Sequence, residues 1–165
     1  IGVCVNDMSE SVLVFGVIVL FSMISNVIII NKQKNSMPLD KMGIEIGKRC
    51  PNQVLEDVNG KKIKLNEVTG NIVFIEEDCT TCQLLVRDIN ANERKDDNII
   101  TILVGEREHA IRFIQKYPLW NKVTFMNKDE IHMKLNISAF PFYMKLTKGI
   151  VKEKGFAVAE KFLKD

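Results

Sequence analysis

Phe74-Ile75-Glu76-Glu77-Asp78-Cys79-Thr80-Thr81-Cys82-Gln83-Leu84-Leu85 is the stretch from which the rest of the chain can be read. Its two cysteines, three positions apart, follow an apolar run at residues 72–75 that has the character of a buried strand. Beyond them Leu84, Leu85 and Ile89 recur at helical spacing, in a helix expected to run to about Glu93. The pattern predicts a strand that ends in Cys-x-x-Cys and passes directly into a helix. Cys79 then sits at the helix N-terminus, where unpaired backbone N–H groups and the helix dipole stabilise a thiolate. Cys82 lies one turn inside, close enough to form or break a disulfide with it.

The chain has 165 residues and a formal charge of +2, room for one ordinary globular domain and no excess of charge that would favour nucleic acid. Its four cysteines are too few for a disulfide scaffold. The two histidines, His109 and His132, are far from the Cys-x-x-Cys in sequence, and a lone Cys-x-x-Cys is poor zinc geometry. No metal and no cofactor are expected.

Ser11 to Ile30 carries no charged residue and is about long enough to cross a hydrocarbon core as a helix. No small-x-small cleavage site follows it cleanly, which favours an anchor over a signal peptide. The expected organisation is a tail at 1–10, a single transmembrane helix at 11–31, a tether at 32–46 and a domain at 47–165. Lys32, Lys34 and Lys41 follow the span, whereas Asp7 and Glu10 precede it without a base. By the positive-inside rule those charges place the domain in the cytoplasm.

Downstream, Asn59-Gly60 between residues 54–58 and 61–65 signals a two-residue hairpin with positive φ at both positions. Residues 98–104 read as a second buried strand and 106–117 as a helix closed by Pro118. A short strand is expected at 123–125, a short helix at 129–135, a hairpin about Lys148-Gly149 and a closing helix at 157–163. This order predicts a mixed α/β sheet with helices on both faces.

With those elements in place, the chain resembles membrane-anchored thioredoxin-like proteins of the TlpA/ResA kind, and within them the methylamine utilisation protein MauD. Gly47-Lys48-Arg49-Cys50-Pro51 and Leu55-Glu56-Asp57-Val58-Asn59-Gly60-Lys61 match that group's opening patterns, Gly-x-x-Ala-Pro and Leu-x-Asp-x-x-Gly-Lys. Phe74 stands five before Cys79, Glu108-His109 matches a MauD-like segment, and Ala139-Phe140-Pro141-Phe142 is similar to the group's cis-proline segment. The resemblance implies a thioredoxin fold with an N-terminal β-hairpin extension and an extracytoplasmic domain, which conflicts with the flanking charges. It further implies Cys79 as the attacking thiol, Cys82 as the resolving one, and Phe140 and Pro141 as the backbone that pairs with substrate. The chain departs from the pattern at Asp78, Thr80-Thr81, Cys50 and Val73, the last standing where thioredoxin keeps a buried carboxylate.

The expected function is a thiol–disulfide exchange with cysteines of a client protein or peptide, served by a further redox partner. A docking protein without turnover is the alternative. A thiol peroxidase is a lesser one, because Glu76-Glu77-Asp78 offers neither the Thr or Ser nor the Pro that such a site needs ahead of its cysteine. The same acids, if near Cys79, oppose its ionisation. Cys50 is expected to pack as a small apolar residue, and Cys4 lies on the far side of the expected span.

Overall fold

A central strand, β3 (Gly70–Glu76), delivers the Cys-x-x-Cys, and its middle residues Ile72 to Ile75 are all buried. A strand apolar on both faces must be covered on both. The computed structural model describes residues 15–25, 38–92, 98–118, 120 and 122–162.

The sheet has the order β5-β4-β3-β6-β7, with β4 (Ile99–Val104), β5 (Val123–Met126), β6 (Phe142–Thr147) and β7 (Ile150–Phe156). β3, β4 and β5 run parallel, and β6 and β7 are antiparallel to their neighbours. The parallel steps carry helices α1 (Thr80–Ala91) and α2 (Arg107–Lys116). Both crossovers move outward in the same direction, so the right-handed rule puts both helices on one face. There Val73, Ile75, Cys82, Leu85, Phe113, Trp120 and Tyr143 share one core. On the other face Phe74 pairs with Phe142 and Ile72 with Met144. The return from β5 to β6 carries α3 (Lys128–Leu135), whose Ile131 and Leu135 are fully buried. This is the mixed sheet, flanked by helices, that the resemblance implies.

The N-terminal part of this unit covers both sheet edges. Residues 47–50 bond along β7 and the β6–β7 turn, through Gly47 N–H to Val151 O and Cys50 N–H to Gly149 O, each 2.8 Å. The hairpin β1 (Val54–Glu56) and β2 (Lys62–Lys64) then reaches β5, where Asp57 bridges Thr124. Capping exposed edges in this way removes a template for unwanted strand pairing.

Four expectations are corrected. The Asn59-Gly60 turn is not the two-residue form, since only Gly60 has positive φ. Asp57 instead closes a tight turn, its Oδ1 accepting the N–H of Asn59 and of Lys61 at 2.8 Å and its carbonyl accepting Gly60 N–H. The expected tether is partly inside the fold: the chain divides into Ile1–Pro38 and Leu39–Asp165. Met42 is buried, and Lys154 Nζ donates to the carbonyls of Asp40 and Met42. The helix after the Cys-x-x-Cys stops at Ala91, earlier than its expected end near Glu93. The closing helix is a single 3-10 turn, Ala159–Lys161, and residues 163–165 lie outside those described.

In the first unit residues 15–25 are helical, with Phe15, Leu20 and Phe21 exposed. The span expected at 11–31 lies partly outside the described residues. Among those described, no helix is long and apolar enough to cross a membrane.

Candidate active site

Cys79 is the N-cap of α1, with extended backbone angles (φ −84°, ψ 114°). Its carbonyl accepts the first helical bond from Gln83 N–H at 3.0 Å. Its sulfur accepts the Cys82 N–H at 3.2 Å, the role a serine or aspartate oxygen plays at ordinary helix starts. The same N–H and the positive end of the helix would hold a thiolate there. As a thiol, Cys79 donates to the carbonyl of Phe140 at 3.6 Å. Cys79 is half-buried, so part of the residue is open to solvent.

Cys82 lies behind it and is only 2% exposed. Burial, and then its hydrogen bond with Cys79, pushes the Cys82 thiol up to about 12, against a smaller opposing effect of the Glu76 backbone. The two sulfurs are thus unequal: one is presented, the other withheld and protonated. Both belong to the one-turn motif that lets them join, and both are unbridged here. Cys82 also backs onto a pocket of about 170 Å³ whose walls include Glu76, Gln83, Phe113, Lys116 and Tyr117.

The peptide bond between Phe140 and Pro141 is cis. The two residues expected to meet substrate differ in what they offer. Pro141 is buried and its carbonyl already accepts Ala157 N–H at 3.1 Å. Phe140 is half-buried and its carbonyl faces Cys79.

The acids ahead of Cys79 are largely answered by cations that the sequence did not reveal. Lys128 Nζ stands 2.7 Å from Glu76 Oε1, and Arg112 Nη2 stands 3.9 Å from Glu77. Asp78 is exposed. The negative charge these acids bring near the Cys-x-x-Cys is therefore partly offset. Lys128 follows Glu76 by 52 positions, and only the strand register could have signalled the pair.

Cys50 is 3% exposed, and burial pushes its thiol up to about 11, in keeping with an inert packing role. His109 Nδ1 accepts the Glu106 N–H and so closes the start of α2. Among the described residues no three His, Cys, Asp or Glu side chains gather as a metal site.

No family model matches the chain. Over 88 residues it is 34% identical to a thiol-disulfide oxidoreductase ResA of Bacillus cereus, covering 48% of this chain and 51% of that protein. The chain therefore spans about half the length of the curated relatives it matches. Among solved structures it is similar to a thiol:disulfide interchange protein from Bacteroides sp., with TM-score 0.55, 14% identity and coverage of 72% of this chain and 86% of that one. A thiol peroxidase from Chromobacterium violaceum is similar too, with TM-score 0.52, 14% identity and coverage of 77% and 85%. A fold shared by exchange proteins and a peroxidase does not choose the chemistry. What these likenesses establish is the architecture, a thioredoxin-like α/β fold.

Proposed function

We propose that the chain is a membrane-tethered thiol–disulfide oxidoreductase acting on cysteines of a client protein or peptide. The observation that carries this reading is the pairing of a half-buried Cys79 at a helix N-terminus with a buried Cys82 one turn behind. Cys79 thiolate attacks a client disulfide, forming a mixed disulfide and releasing one client thiolate. Cys82 then gives up its proton and attacks the Cys79 sulfur, which forms the Cys79–Cys82 disulfide and frees the second client thiolate. The reverse sequence oxidises a client dithiol. The likeness to ResA and the Phe140 carbonyl facing Cys79 support the same chemistry.

The uncharged stretch at 11–30 supports a bilayer tether, and the resemblance to MauD favours a role in client maturation outside the cytoplasm. Turnover of a disulfide substrate by the full chain tests the proposal. Activity lost in Cys79→Ser is expected, and activity retained in that variant would indicate a docking protein instead.

A further inference from the structure

We propose that Lys128 is a positioning residue of the Cys79–Cys82 pair. It neutralises the Glu76 carboxylate beside the dithiol and, lying against the Phe140 ring, steadies the carbonyl that faces Cys79. The inference rests on the thiol–disulfide reading given above and adds a residue remote from the Cys-x-x-Cys in sequence.

The sheet register brings Lys128 there. Glu76 is paired with Val104, and Val104 with Met126, so the C-terminal ends of β3, β4 and β5 form one row. Asn127 then caps α3, its side chain accepting Asp129 N–H at 2.9 Å, and Lys128 is the first helical residue. Its ammonium lies 2.7 Å from Glu76 Oε1 and 5.9 Å from the Phe140 ring centroid. Phe140 O meets the Cys79 sulfur, and Glu76 O accepts the Cys79 N–H at 3.2 Å. Lys128 therefore touches both residues that flank the attacking cysteine, one before it in the chain and one in the loop ahead of β6.

The electrostatic consequence has a definite sign. The charged groups around the dithiol are Glu76 at the end of β3, Glu77 and Asp78 after it, Arg112 and Lys116 on α2, and Lys128 on α3, with Tyr117 beside them. Negative charge on Glu76 opposes ionisation of the neighbouring Cys82, and it repels any anionic sulfur placed beside it. Lys128 cancels it. Without Lys128, Glu76 acts unopposed and the thiols ionise less readily. Without Glu76, Lys128 acts unopposed and they ionise more readily. The Lys128 side chain is 59% exposed, so solvent and salt screen the effect. A change of about threefold in thiol reactivity at neutral pH is the expected scale.

The test is the pH profile of Cys79 alkylation in the reduced full chain, followed at low salt by peptide mass spectrometry. Lys128→Met is expected to slow the reaction about threefold at pH 7 and move the profile to higher pH. Glu76→Gln is expected to speed it and move the profile to lower pH. The double variant should return to the native profile, as should Lys128→Arg, which retains the charge. A purely structural role for Lys128 would not be rescued by Glu76→Gln. An unchanged Lys128→Met profile, or slowing in both single variants, overturns the inference. If instead the native chain fails to exchange with any disulfide, it is the underlying thiol–disulfide reading that falls.

Discussion

The Cys79 sulfur accepts the backbone N–H of Cys82 at 3.2 Å, so the presented thiol caps the very helix turn that buries its partner. One hydrogen bond thereby joins the start of α1 to the inequality of the two sulfurs. Local backbone geometry and the proposed redox chemistry meet at this contact.

That inequality predicts the order of modification. At pH 8 the Cys82 thiol, pushed up to about 12, is almost entirely protonated and is also enclosed. Iodoacetamide should label Cys79 at least about a hundredfold faster than Cys82 in the reduced protein. Peptide mapping of partially labelled protein measures the ratio, and comparable rates would contradict the arrangement.

Stability should decline at alkaline pH in the reduced protein. Cys50 and Cys82 have thiols raised by burial, to about 11 and about 12, from an ordinary value of 9.0. Between pH 9 and those values the unfolded chain loses these protons while the folded one retains them, so unfolding is favoured as pH rises. Cys50→Ala removes one contribution. Its denaturation midpoint should fall less steeply above pH 9 than that of the native chain; parallel curves would show that Cys50 contributes nothing.

Gly149 holds the β6–β7 turn against the end of the hairpin segment. Its φ is +75°, and a Cβ there would collide with the Asn66 carbonyl oxygen, a backbone atom that cannot rotate away. Gly149 N–H also donates to Val68 O at 2.7 Å. Gly149→Ala should cost roughly 2–4 kcal/mol, the sum of left-handed strain and displaced backbone. Chemical denaturation measures it, and a loss under about 0.5 kcal/mol would refute this packing.

A polar cluster fastens the C-terminal turn. Lys161 Nζ donates to Glu153 and to the Tyr143 hydroxyl, and Tyr143 donates to Glu153. The bonds from Lys161 and then Tyr143 hold the Glu153 carboxyl below its ordinary value. A carboxyl depressed in the folded state contributes stability above its unfolded pKa and loses it as pH falls through the folded one. Glu153 is half exposed at its side chain, so the contribution is under about 1 kcal/mol. Glu153→Gln should fall slightly below the native chain at pH 7 in thermal unfolding, and the gap should narrow as the solution is acidified.

The local elements of this site were legible because their signals are contiguous. The apolar run before Cys79, the spacing of Leu85 and Ile89, and the proline before β6 each report on a few neighbouring residues. The compensating cations were not legible, because Lys128 reaches Glu76 through the register of three strands and Arg112 reaches Glu77 from another helix. Residues 39–46 read as a tether on their mixed composition. Their place in the fold depends on long-range bonds, such as Gly43 N–H to Asn136 O and Lys154 to Met42 O. The Asn59-Gly60 turn misled for a different reason. Asp57 bonds two backbone N–H groups and favours a tight turn in which only the glycine needs positive φ.

Trapping with Cys82→Ser tests the central claim most directly. A chain that can attack but not resolve should accumulate a covalent adduct with a disulfide-bearing peptide, joined through Cys79 and released by dithiothreitol, and Cys79→Ser should form none. If the adduct forms equally in both variants, or in neither while the native chain still turns over substrate, Cys79 is not the attacking sulfur.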